Sequence, residues 1–394
     1  MGPCPVEFAM LAMAESRRVP FLSAAAGQGV STAPGRWLSL CHRALASTDL
    51  GIGRTASAGQ CALCHSASGA QFGHNAPMNL PTQLSPVPDA DGLYLWAPEG
   101  TGLWGYANCL WIISGSDAAV IDTPYDGPLT EAMIAAARPW LGDRTVRTVV
   151  NTHANGDHTF GNHLFPGAEV IATSAGQRHQ HHEPTPQEMH ALVNDSPDHL
   201  PLGRYLRRHF GAFDFTSAQV GVPTLTFSGR HTFAVGEHEV ELYEVGPAHH
   251  VGDLVARIGD VVCTGDIFFH GDHPPHWAGP LQNVIDACEL VLGFNPRVII
   301  PGHGRPTDQA GLEEHLVYLR TVQREVHRCY EAGLSAEKAM DELFQEGFYP
   351  DLGLPERLLI VISVEYGHLR GEISPASPPS VLEPFGKAAA WSYR

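Results

Sequence analysis

The chain has 394 residues, of which 43% are apolar, and a formal net charge of −18. That length buries a substantial core, in one large domain or two smaller ones, and no apolar run approaches the roughly twenty residues a membrane-spanning helix needs. The acidic balance excludes the basic footprint that a nucleic-acid partner requires.

The N-terminal segment lacks a basic stretch followed by a long apolar run and a small-residue cleavage site, so the sequence points to a cytoplasmic protein. Eight cysteines scattered through so long a chain do not suggest a disulfide framework. Only two lysines occur, Lys338 and Lys387, and arginine supplies nearly all the positive charge.

Residues 1–88 are rich in Ala, Ser, Gly and Pro and show no sustained periodicity, which reads as an irregular N-terminal extension ending in the linker PMNLPTQLSPVPDADG. Within it CALCH, Cys61 to His65, matches the C-x-x-C-H pattern of covalent haem attachment. No export signal and no strong flanking helices accompany it, so the expectation is a pair of ordinary thiols rather than a haem or zinc site. Met78 is an in-frame candidate for a later start.

From about residue 92 the pattern changes. GLYLWAP, ANCLWIISG and DAAVIDTP read as strands, and GPLTEAMIAAARPWLG has helical spacing with Gly142 after its end. VRTVVNTH and AEVIATS are further strands, followed by a helical, His-rich insertion over about 174–215 whose RHQHHE reads as an exposed polar face. HTFAVGEHEVELYEVG, DLVARIGDVVCTGDIFF and RVIIPGHG add strands, with the helix PLQNVIDACELVLGF between the last two. Three helical segments reach about residue 371, and 372–394 read as a frayed tail. Strands interleaved with helices predict a layered α/β sandwich, whose chemistry sits on loops at strand ends. Residues 89–371 form the expected catalytic domain.

The 23 histidines concentrate between His153 and His303. In VVNTHANGDHTFGN an apolar run ends, and His153, Asn155, Asp157 and His158 follow within six positions. Imidazoles and a carboxylate packed this closely after a strand are the donor set of a metal site. Further loop segments close strand-like runs: IDTP with Asp122, GPAHHVGD with His249 and His250, CTGDIFF with Asp266, and IIPGHG with His303.

In this order the motifs resemble the metallo-β-lactamase superfamily, over roughly residues 92–330. The resemblance implies an αββα four-layer sandwich and a one- or two-metal site, usually zinc, with iron or manganese as alternatives. Carried over by motif, His153, position 155 and His249 serve one metal position. Asp157, His158 and His303 serve the other, and Asp266 bridges. It further implies a hydrolase in which a metal-bound hydroxide, oriented by Asp157, attacks the carbonyl of a small-molecule ester, lactone, thioester or lactam. The sequence departs from the family at Asn155, where a histidine is usual, giving H-x-N-x-D-H. An amide oxygen is a neutral and weaker ligand for zinc, so either the first position binds weakly or Asn155 takes part in a surviving two-metal centre.

His249 rather than His250 is the expected ligand, since it stands where relatives carry theirs before the xGD. Asp122 either caps a turn or holds a ligand histidine in place. His270, His273, His276 and Trp277 in FFHGDHPPHWAGP, with Trp104 and Tyr106, are candidate walls of a substrate pocket. Cys109, Cys263 and Cys288 fall in apolar runs and belong to the core. The acidic chain favours a small uncharged or cationic substrate. An iron-dependent oxygenase on the same fold, and a non-catalytic binding module, are the competing classes; the sequence is silent on oligomeric state.

Overall fold

The computed structural model describes residues 78–374 and 382–394. CALCH and the rest of residues 1–77 lie outside the described residues. Two sheets carry the architecture. The first has seven strands in sequential order: β1 (Ser85–Pro86), β2 (Leu93–Trp96), β3 (Cys109–Ser114), β4 (Asp117–Ile121), β5 (Thr145–Val150), β6 (Glu169–Thr173) and β7 (Leu225–Phe227). The second has five, in the order β12-β11-β10-β9-β8, built from β8 (Arg230–Val235), β9 (His238–Glu244), β10 (Leu254–Ile258), β11 (Val261–Phe269) and β12 (Val298–His303).

The alternation of side chains along each strand explains the layering. In β3, Leu110 and Ile112 face the core between the sheets, while Cys109, Trp111 and Ile113 face the opposite way. In β4, Ala119 and Ile121 join Leu110, whereas Ala118 and Val120 turn outward to the helix α1 (Gly127–Leu141) through Met133 and Ala137. The second sheet repeats the device. Leu254, Ala256 and Cys263 enter the intersheet core, and Val255 and Val262 pack outward beneath three helices: α6 (Leu281–Gly293), α7 (Gln309–Glu331) and α9 (Arg357–Leu369). Helix, sheet, sheet and helix make the expected αββα sandwich. Cys109, Cys263 and Cys288 are buried and unbridged, as their apolar surroundings predicted.

Short connections place loops at the strand ends. Helix α1 starts where Asp126 accepts the Leu129 N–H at 2.8 Å. The tight turn after β5 leads into the single turn α2 (Gly156–Thr159). The insertion supplies α3 (Ser174–His179), α4 (Pro186–Asp195) and α5 (Pro201–Phe210), with Thr185 and Glu188 forming a capping box at the start of α4.

The structure shifts both ends of the expected catalytic region. Leu84 and Val87 are buried and Ser85–Pro86 pairs with β2, so the fold begins before the residue-88 boundary. The expected frayed tail contains a helix, α10 (Leu382–Trp391), after α8 (Ala336–Gln345) and α9. Its small residues let it seat closely: Ala388 and Ala389 are fully buried, and the Trp391 Nε1–H donates to Asp341 at 2.9 Å. Among the described residues no helix is long and apolar enough to cross a membrane.

Because Trp391 is a buried member of the outer core, Trp391→Ala removes about 3 kcal/mol of stability. Urea denaturation reads this directly. A loss under about 0.5 kcal/mol, the scale of ordinary surface substitutions, shows that α10 does not contribute to the fold.

Candidate metal centre

The motif residues gather at the strand ends. Asp122 follows β4, His153 through His158 follow β5, His249 lies between β9 and β10, Asp266 lies in β11, and His303 ends β12. Asp266 sits between two groups of side chains. Its Oδ2 is 3.4 Å from His249 Nε2 and 3.9 Å from His153 Nε2, while Oδ1 is 3.3 Å from His158 Nε2 and 3.5 Å from His303 Nε2. Asp157 Oδ2 adds a carboxylate 3.4 Å from His303 Nε2 and 3.8 Å from His158 Nε2. Backbone proximity makes this possible: a Cβ at Gly302 would stand 1.9 Å from Asp266 Oδ1, so β12 approaches as closely as it does only with glycine there.

Hydrogen bonds behind the ligand candidates fix which ring nitrogen faces inward. Asp122 adopts φ 63°, a left-handed conformation that Asp tolerates better than most residues. From there it accepts the Thr152 N–H and hydroxyl, each at 2.8 Å, and the His158 Nδ1–H at 2.8 Å. Asp122 therefore holds a ligand candidate in place rather than only capping a turn. The His303 Nδ1–H donates to the Tyr106 carbonyl at 3.0 Å. Thr152 Oγ1 spends its hydrogen on Asp122, so at 3.1 Å from His153 Nδ1 it accepts, and His153 carries its lone pair on Nε2.

Asn155 completes the first group. Its Oδ1 is 3.0 Å from His153 Nε2 and 3.1 Å from His249 Nε2, and its Nδ2 donates to Glu183 Oε2 at 2.8 Å. The carboxylate sets the amide orientation, so an oxygen and not an amide N–H meets the histidines. His153 Nε2 and Asn155 Oδ1 thus bring two lone pairs together with no hydrogen between them.

The chemistry of this donor set fits a cation. His158 Nε2 and Asp266 Oδ1 are buried without hydrogen-bond partners although they lie 3.3 Å apart. His153, His158 and Asp266, and separately Asp157, His158 and His303, bring donor atoms close enough to hold an ion. Electrostatics agree. Burial lowers His303, but the Asp266 and Asp157 carboxylates outweigh it and raise it to about 9. Asp266, Asp122 and Asp157 together hold His158 well above its usual value against the same opposition. His153, where burial dominates and His158 adds repulsion, is pushed down to about 3, and burial lowers His249 well below its ordinary value. Asp266 stays well below the usual carboxylate range because His303 and His158 overcome its burial.

The other predicted residues separate clearly. His250 turns away from Asp266. Its Nδ1 accepts the Gly252 N–H at 3.4 Å, leaving an Nε2–H for Glu183 Oε1 at 3.0 Å. Trp104 and Trp277 line a cavity of about 700 Å³ beside the centre, with Asn155, Asp157, Asp266 and His303. The remaining pocket candidates do not line it. His270 is exposed and bound to the Arg305 carbonyl, His273 pairs with the Tyr318 hydroxyl at 2.8 Å, and His276 is buried edge-on behind His249. Tyr106 stacks on Phe213 and contributes only its carbonyl.

Sequence reasoning missed Glu183. The RHQHHE segment is not simply an exposed face: His179 and Glu183, four residues apart, are about nine-tenths buried and 3.5 Å from each other. Histidine and glutamate at that spacing on one helical face were the available signal. His179, Glu183 and His250 also have ion-binding spacing, but the His250 proton makes its contact with Glu183 a hydrogen bond. The two histidines orient Glu183, and Glu183 orients Asn155.

The sequence profile of the metallo-beta-lactamase superfamily matches residues 102–303. Among curated proteins no match was found. The stereoselective inverting sec-alkylsulfatase Pisa1 from Pseudomonas sp. is a similar solved structure, at 15% identity and a TM-score of 0.54, covering 73% of this chain and 50% of that one. A metallo-beta-lactamase from Pontibacter korlensis is similar at 18% identity and a TM-score of 0.45, covering 61% of this chain and 99% of that one. At 15% identity the Pisa1 structure speaks to the fold alone.

Asp122→Ala frees the His158 ring and lowers metal affinity about 10- to 100-fold, as read by competition with a chromophoric chelator. Unchanged affinity would return Asp122 to the role of a turn cap.

Proposed function

The chain belongs to the metallo-beta-lactamase superfamily, and from that premise we propose a metal-dependent hydrolase whose centre takes two ions, with zinc the favoured metal. The observation that carries this reading is the Asp266 carboxylate, which presents one oxygen to His153 and His249 and the other to His158 and His303. His153, Asn155 and His249 would hold one ion, and Asp157, His158 and His303 the other. When bound, the metal supplies Lewis acidity and makes water reactive near neutral pH.

The chain's own residues do the rest. Asp157 lines the cavity with a carboxylate that His158 and His303 keep ionised against its burial, so it can orient the attacking water and accept its proton. Asn155 offers an oxygen without adding charge, and Glu183 holds that oxygen toward the centre. The cavity bounds a space for the acyl group of an ester, lactone, thioester or lactam and limits bulk water around the reacting carbonyl.

The complete set of facing donors favours this over a non-catalytic module. Metal identity separates it from the iron-dependent oxygenase, which requires a redox-active ion.

Two substitutions test the assignment. Asp157→Ala should lower metal content and cost hydrolysis about 100-fold or more in a screen of esters, lactones, thioesters and β-lactams; full metal content with full activity would sink it. Asn155→His supplies an imidazole at the family's usual position, and the expected outcome is tighter binding of the first-position ion without loss of the second. Metal affinity and content indistinguishable from the parent's would mean that residue 155 does not face a metal.

A further inference from the structure

The cavity beside the metal centre has an apolar wall that includes Leu192, Leu206, Phe210 and Phe385. One charged group in that lining stands apart. Arg357, the first residue of α9, is 2% exposed and lies outside the segment that matches the family profile. Its guanidinium sits 3.9 Å from the Trp104 ring centroid and 5.5 Å from that of Phe269, whose ring stacks on His303. Trp104 is held in place because its Nε1–H donates to Tyr205 Oη at 2.8 Å, and that hydroxyl donates to Glu356 Oε1 at 2.8 Å.

The guanidinium has donors to spare. Its Nη1 makes a long hydrogen bond of 3.4 Å to the His273 carbonyl, and its buried Nε has no partner. Asp272 and Glu356 both feel its charge, but the Asp272 oxygens accept from the Gly102 N–H, Glu356 Oε1 accepts from Tyr205, and no ion pair to Arg357 forms among the described residues. Of the other cations lining the cavity, Lys387 pairs with Glu337 and Glu383, Arg394 pairs with Asp341, and Lys338 is exposed to water. A buried cation without a carboxylate is costly, and at a helix N-terminus the macrodipole adds to the cost. Two aromatic faces offset part of it. What the arrangement lacks is an oxyanion in direct contact with the guanidinium, and it lacks it inside the cavity that holds the proposed reactive centre.

We propose that Arg357 is the substrate-recognition residue of this site. It binds a compact oxyanion, a carboxylate or sulfate group, carried by a substrate whose apolar body fills the remaining cavity. This reverses the uncharged or cationic substrate that the acidic composition favours: net charge describes the whole surface, and Arg357 describes the pocket. The assignment rests on the hydrolytic reading for the word substrate, whereas its test reads binding.

The test uses metal-loaded protein titrated with octanoate, octyl sulfate and 1-octanol, followed by the fluorescence of Trp104 and Trp277 in the cavity lining. One or both anions should bind about tenfold or more tightly than the alcohol, and the preferred anion tells which oxyanion the site is shaped for. Arg357→Met should bring anion affinity down to that of 1-octanol while metal content stays unchanged. Equal affinity for anions and alcohol in the parent protein would overturn the proposal. So would an anion preference that survives Arg357→Met, since the anion would then sit on the metal. If Arg357→Met does not fold, Arg357→Lys decides, because a point charge cannot reproduce the guanidinium fork. Weaker anion binding with unchanged 1-octanol binding is expected, and identical anion binding overturns the assignment. Failure of the hydrolase reading is seen separately, as absence of ester cleavage by a protein that still prefers the anion.

Discussion

Everything around the centre follows from burying the Asp266 carboxylate. A charge taken out of water costs several kcal/mol unless partners surround it, and Asp266 is 5% exposed within an entirely buried strand. Four imidazoles face its two oxygens, and three have their outer nitrogens committed elsewhere: His158 to Asp122, His303 to the Tyr106 carbonyl, His153 to Thr152. Imidazole nitrogens and buried carboxylates converging on one point are a donor set that a cation satisfies. Gly302 is part of the same constraint, since any side chain there would displace the bridging oxygen.

Asn155 fits this frame as a supported substitution. A free amide flips readily between its oxygen and nitrogen. Here Glu183 accepts the amide N–H, and His179 and His250 hold Glu183, so the oxygen is directed at His153 and His249. In the proposed centre the first metal position would lose an imidazole and gain a neutral oxygen ligand backed by a buried carboxylate. That is a reason to expect altered metal preference rather than an empty position.

The fold and the ligand candidates were legible in the sequence because both rest on local patterns. The near-continuous apolar runs CLWIIS and DAAVI report burial on both faces, and H-x-N-x-D-H, TGD and PGHG each follow or belong to a strand-like run. What escaped depends on distant packing. Glu183 meets Asn155 across 28 positions, and Arg357 reaches Trp104 from a helix that reads as ordinary core. His270, His273 and His276 looked like pocket residues because they follow Asp266, but the chain turns after Phe269 and directs them to solvent, to Tyr318 and behind His249. The tail was misread because Ala-rich α10 has too few large apolar residues to show a helical stripe; small size is what lets it pack.

The centre and the cavity together describe a site with a carboxylate- and imidazole-rich end and an apolar end that contains one guanidinium without an ion-pair partner. The most direct test of the bridging arrangement is anomalous diffraction from crystals of the zinc-loaded protein, collected on both sides of the zinc absorption edge. The account predicts two anomalous peaks flanking Asp266, with Asn155 Oδ1 at about 2.0–2.2 Å from the one on the His153 and His249 side. A single peak beside His158 and His303, or none, would contradict it.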